Sequence, residues 1–240
     1  MTQPRKSKDT AAKKTITRKL PLPITEMAVS AELQQYLEYQ HQLTQWTELR
    51  SLAATHNVDI TAKPVDRAKQ YIILAREAIQ LIDKVERSNV LTFLVRTGWH
   101  EGGDLTMRTQ YPNGPGRGFP QLEAGAAKDA VERAVQKDWI SHLAAAAATK
   151  TDSLQDAAKE LELNKPWPAG NLIEDSLLKF DLFGLLMARS YLTRTSVDIP
   201  VDIKDQSDFW EDHWHKVKDS AKKAKWLADA KRLNTLIGWT

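Results

Sequence analysis

The stretch Thr97-Gly98-Trp99-His100-Glu101-Gly102-Gly103, resumed downstream as Gly114-Pro115-Gly116-Arg117-Gly118-Phe119-Pro120-Gln121-Leu122-Glu123, decides how the rest of the chain is read. Directly before it stands Val90-Leu91-Thr92-Phe93-Leu94-Val95, apolar on nearly every side. Such a run is either a central helix or a buried strand, and its length alone does not choose between them. The neighbouring segments are helical in pattern and favour a helix, ending at Gly98 with Glu101 just beyond it. From Asp104 to Gln121 the chain reads as a loop centred on Pro112-Asn113-Gly114-Pro115-Gly116. An acidic side chain therefore stands where an apolar helix gives way to a glycine-rich loop.

Working outward, both flanks carry helical periodicity. On the amino-terminal side Ser30 is a candidate N-cap, and Leu33, Leu37, Leu43, Trp46 and Leu49 recur near helical spacing to about residue 55. A second helix is expected from Pro64, a good first-turn residue, to about Arg87, with Val65, Ala68, Ile72, Ala75, Ile79 and Ile82 as its apolar stripe. On the carboxyl-terminal side helical signal returns near Glu123 and continues through the alanines at 144–148. A polar segment at about 149–165 holds a short helix, and Trp167-Pro168-Ala169-Gly170 breaks the chain. Asn171 can cap one helix carrying Leu172, Phe180, Phe183, Met187 and Tyr191. A last helical region, about 207–236, pairs Trp210 with Trp214 and carries Lys216 to Lys225 on a solvated face.

The expected fold class is all-α. Only 10 glycines and 10 prolines in 240 residues argue against a sandwich or barrel of many short strands. With no cysteine, the fold uses neither a disulfide nor a thiolate metal site. Residues 1–24 place seven basic side chains against Asp9, a net of +6 in a chain whose total is +3, so the body is mildly acidic. The organisation expected is a disordered basic tail at 1–24 and a helical body at 25–240, itself a helical hairpin (25–88) followed by a core (89–240). The tail is either a solubilising segment or a non-specific electrostatic contact for DNA, an anionic polymer or an acidic protein. No apolar run is long enough to span a membrane, and no apolar stretch follows the amino-terminal charges as in a secretion signal.

Chemistry points to Glu101. Cleaving a glycosidic bond needs a carboxylic acid that stays protonated near neutral pH, because the oxygen is a poor leaving group. Desolvation and the negative end of a helix dipole both raise a carboxyl pKa, and Glu101 follows an apolar run at an expected helix C-terminus. Other chemistries find no footing. His213 and His215 lie two apart, so on a helix they diverge; His-Glu-x-x-His and Gly-x-Ser-x-Gly are absent; no Lys-Ser or Lys-Thr follows the glycines as in a phosphate loop. No metal or cofactor is called for.

Over about 25 residues the two motifs resemble the lytic transglycosylase branch of the lysozyme-like superfamily, in the form found in phage virion and ejection proteins. There a Glu-Ser-Gly-type turn ends a buried helix, and a Gly-x-x-Gly-Leu-x-Gln loop walls the sugar cleft some fifteen residues later. Here the corresponding residues are His100-Glu101-Gly102 and Gly114 through Glu123. The resemblance implies a lysozyme-like helical domain with Glu101 as acid and then base, assisted by the 2-acetamido group of the substrate. The bond cleaved would be MurNAc–GlcNAc in peptidoglycan. It implies a cleft bordered by Trp99 as a stacking ring and by Arg117, Gly118, Gln121 and Glu123. Arg117 either meets a substrate carboxylate or pins the loop to Glu123, and a two-carboxylate hydrolase would draw its partner from Asp104 or Glu123. Two departures stand out: Gly102 replaces the usual serine, and Pro120 stands where an aromatic or Met is usual.

Two functions follow as expectations. One is a peptidoglycan-degrading enzyme carried in a phage particle with other virion proteins, made in the host cytoplasm and acting in the periplasm or wall. The other is a non-catalytic structural or ejected virion protein that keeps the scaffold. Three glycines and a proline within five residues, and a Glu in a glycine-rich turn, also suit a plain solvated turn.

Overall fold

The computed structural model describes residues 31–110, 114–147, 153–163 and 172–239. Of the described residues, those at 31–39 fall in one unit and those from 40 onward in another. The basic tail, Ser30, the Trp167–Gly170 break and Asn171 lie outside the described residues. The described chain is helical: α1 Ala31–Thr55, α2 Pro64–Asp83, α3 Ser88–Glu101, α4 Ala124–Gln136, α5 Ile140–Ala146, α6 Leu154–Leu163, α7 Leu172–Lys179, α8 Asp181–Leu192, α9 Ile203–Phe209, a π-helical segment Trp210–His215, and α10 Ser220–Ile237. Among the described residues there is no β-strand, and Arg117 makes isolated antiparallel bridges with Thr109 and Leu122. The protein is all-α.

The most buried element is α8, every residue of which is enclosed. Its sequence, Asp-Leu-Phe-Gly-Leu-Leu-Met-Ala-Arg-Ser-Tyr-Leu, is apolar all round, as a helix must be when neighbours cover each side. Helices α2 and α4 pack on it, and α3 packs against both α2 and α10. Two polar members of α8 are matched: Arg189 pairs with Asp83 at 2.6 Å, and Ser190 donates to Ala130 O at 2.7 Å.

Four element boundaries differ from the periodicity reading, each for a local reason. Helix α3 runs past Gly98 to Glu101 and ends where Gly102 N–H donates to Gly98 O. A Cβ at Gly98 would stand 2.4 Å from the Tyr71 ring, so the glycine marks close contact with α2, not a helix stop. The segment expected as one helix from 171 divides at Phe180, which is extended (φ −129°, ψ 108°). The next residue, Asp181, takes part in the 57–58 turn: its N–H donates to Asn57 Oδ1, and its carboxylate accepts from Val58 N. The helical signal from 123 is interrupted by a turn with Asp138 at φ +59°. The last helical region is interrupted at Lys216 (φ +57°), and α10 restarts with Asp219 as its N-cap, accepting from the Ala221 and Lys222 N–H groups.

Candidate active site

Helix α3 delivers Glu101 to its own C-terminus, where the chain makes a tight reversal. Gly103, Asp104 and Leu105 all have φ between +54° and +59°, a left-handed turn costing roughly 1–2 kcal/mol per non-glycine residue. Such strain persists only where the surroundings over-determine it. Here they do, since Leu105 is fully buried and the Asp104 carboxylate is gripped by both Nη atoms of Arg232 at 2.5 and 2.6 Å. Gly102 has its own reason. A Cβ there would meet Gly98 O at 2.7 Å and Phe119 Cδ1 at 2.9 Å, so this backbone leaves no room for a serine.

The loop that follows is fastened by three ion pairs to three helices. Asp104 meets Arg232 of α10; Arg108 meets Asp181 of α8 through Nε and Nη2 at 2.8 and 2.7 Å; Arg117 Nε meets Glu174 of α7 at 2.8 Å. Arg117 Nη1 also donates to Gly114 O and Gly116 O. Thus Arg117 does pin the loop, but to Glu174 rather than Glu123. Gln121 holds the same loop through Nε2, which donates to Met107 O at 3.1 Å and Gly118 O at 2.8 Å, while its buried Oε1 has no hydrogen-bond partner among the described residues. Pro120 is buried, with its ring near the Gly184 backbone of α8, so this departure does not face the cleft.

Between this loop and the segment from Trp210 to α10 lies a cleft of about 720 Å³. Glu101, Gln121 and Glu123 line it, and so do the rings of Tyr191, Trp210 and Trp214. Trp99 does not. It is fully buried, with Arg232 over its ring at 5.6 Å, so it has no face to present to the cleft; of the three rings just named, Trp214 is the one not fully buried. Gly118 is buried behind the wall, its N–H bonded to Arg108 O. Asp104, committed to Arg232, is no second carboxylate, whereas the exposed Glu123 is available to the cleft.

Glu101 is half-buried, and burial raises its pKa above the ordinary carboxyl value. His100, a hydrogen bond from Trp210, and the charges of Lys222 and Lys225 oppose that rise without cancelling it. Trp210 Nε1–H donates to Glu101 Oε1 at 3.1 Å. The indole is itself fixed, stacked on His215 (4.8 Å between centroids, 4° between planes) and met edge-on by His100 at 5.3 Å. His100 Nδ1 lies 2.8 Å from Asp229 Oδ2. Two cations and His100 hold that carboxyl well below the ordinary range despite burial, so it is an acceptor and the proton sits on Nδ1. Asp229, His100 and Trp210 form a brace behind the carboxyl of Glu101. The Trp210/Trp214 pair carried its signal in the sequence as an i, i+4 repeat; the brace did not, because Asp229 and His100 are 129 positions apart.

No protein family, no curated protein and no solved structure matches the chain.

Proposed function

We propose that this protein cleaves the glycan strand of bacterial peptidoglycan at the MurNAc–GlcNAc bond, by lytic transglycosylase chemistry on a lysozyme-like helical scaffold. In this reading it is a phage virion component, made in the host cytoplasm and acting in the periplasm or wall. The observation that carries the reading is a carboxyl kept protonatable by burial at the edge of a cleft with aromatic walls. Support comes also from its placement on the end of a buried helix, before a glycine-rich loop that returns Gln121 and Glu123 to the same cleft.

The chemistry assigns Glu101 two duties. Its proton passes to the glycosidic oxygen as the C1–O bond breaks, and the substrate's acetamido oxygen bonds to C1. The resulting carboxylate then takes the proton of the C6 hydroxyl as O6 bonds to C1 and the acetamido oxygen leaves. The product is a 1,6-anhydro sugar, and no water is consumed. The Trp210 N–H stays with Glu101 Oε1, leaving Oε2 for the proton that moves. Gln121 and Arg117 keep the loop wall in place, and the partly exposed Trp214 offers a ring to a sugar.

The test is incubation of purified protein and its Glu101→Gln variant with isolated peptidoglycan, with released muropeptides analysed by mass spectrometry. Anhydro-muropeptides from the wild type alone are expected. Reducing-end products would instead assign a hydrolase, with Glu123 as the carboxylate to test next. No release from either folded protein would overturn the enzyme reading and leave a non-catalytic virion scaffold protein.

A further inference from the structure

The lysines between Lys216 and Lys225 are not one uniform solvated face. Those turned away from the cleft are neutralised by acids: Lys218 meets Asp212 and Glu211, and Lys223 meets Asp208 at 2.9 Å and Glu211 at 3.3 Å. Those lining the cleft are Lys216, Lys222 and Lys225. Lys225 lies 3.2 Å from Asp229, a carboxylate already shared with His100 and Arg232. Lys216 Nζ stands over the Tyr191 ring at 5.3 Å, and among the described residues neither Lys216 nor Lys222 makes an ion pair. Lys222 is also close enough to Glu101 and His215 for its charge to act on both. The opposite wall carries the acids Glu123 and Asp129. The cleft is thus polarised, with unmatched positive charge on the wall beside Glu101.

Ammonium groups left unpaired at the edge of a cleft suit an anionic partner, and charge-assisted hydrogen bonds to carboxylate are roughly twice as strong as neutral ones. We propose that Lys222, with Lys216, binds a carboxylate of the glycan, so that the cleft selects a carboxylate-bearing strand over a neutral N-acetylhexosamine polymer. This rests on the glycan-cleaving reading for the backbone of the ligand, but its own content is the charge the ligand must carry. A muramyl residue offers two sources, its lactyl carboxyl and the acids of an attached peptide.

The test uses the Glu101→Gln protein, which holds ligand without turnover, and isothermal calorimetry at two salt concentrations. The probes are chitotetraose, a peptide-free GlcNAc-MurNAc tetrasaccharide, and the same tetrasaccharide bearing its peptides. The expected result is affinity about tenfold tighter for a carboxylate-bearing probe than for chitotetraose, weakening with salt. Tighter binding already present in the peptide-free probe assigns the lactyl carboxyl, and tighter binding only with peptides assigns the stem. Lys222→Ala should remove the difference, and Lys222→Glu should invert it. Lys218→Ala, which alters a neutralised lysine outside the cleft, should leave it intact. Equal affinities, no binding of any probe, or a preference that survives Lys222→Glu would overturn the proposal. If the wild type releases no products but the discrimination holds, the enzyme reading falls and this one stands.

Discussion

At the scale of single residues, Glu101 shows a cost that comes with its position. A carboxyl whose pKa is raised in the folded state stabilises the fold below its unfolded pKa, and that contribution is lost as pH rises through the folded value. Above the unfolded pKa, burying this carboxyl therefore works against folding. Glu101→Gln is expected to raise stability at pH 7 by about 1 kcal/mol, the scale of a single stabilising substitution, and to give almost no gain near pH 4. Chemical denaturation at the two pH values checks this; an equal gain at both would show that desolvated charge is not the cause. The sequence exposed Glu101 because residue type and position coincide there. It misplaced Trp99 because adjacency along a helix is not adjacency in space. Two residues at 100° each put Trp99 on nearly the opposite side from Glu101, inside the core. Arg117 was legible as a loop anchor, whereas its partner, Glu174, lies 57 positions away and nothing local marks it.

At the scale of elements, the identity of the helices was written in their periodicity, and their ends were not. Glycine is the clearest instance, since it has two meanings that one sequence does not separate: release of the backbone, or contact with a neighbour. At Gly98 it is contact, with Tyr71 Oη and Cε1 each 2.4 Å from the point a Cβ would occupy. Gly98→Ala is expected to cost about 1–3 kcal/mol, because both rigid partners sit in the core and α3 must move off α2. A combined Gly98→Ala, Tyr71→Leu protein should recover part of the loss in urea unfolding; full additivity of the two costs would place the penalty elsewhere. The division between α7 and α8 was hidden for the opposite reason. Phe180 is an ordinary helix residue, and the helix stops there because Asp181 has obligations to Asn57, Val58 and Arg108.

At the scale of the molecule, late parts of the chain complete early ones. Arg96 of α3 is buried, which lowers its pKa to about 10, and it donates to Gln206 Oε1 of α9 at 2.7 Å and to Asn234 Oδ1 of α10 at 3.2 Å. Arg96→Met keeps the buried stem but leaves both acceptors unpaired, an expected cost of about 1–3 kcal/mol. In native-state hydrogen exchange α9 and α10 should then open at lower free energy than α2 and α8; uniform loss of protection across all four would count against this subdivision.

The same long reach sets a schedule. Glu101 and the indole that holds it are 109 residues apart, and the Asp229 that braces His100 comes later still. At about 5–20 residues per second of synthesis, roughly 5–20 s pass between the ribosome adding the acid and adding Trp210. Throughout that interval the emerging chain carries Glu101 without the indole that bonds it, so the cell translating it meets no closed cleft until Trp210 has followed.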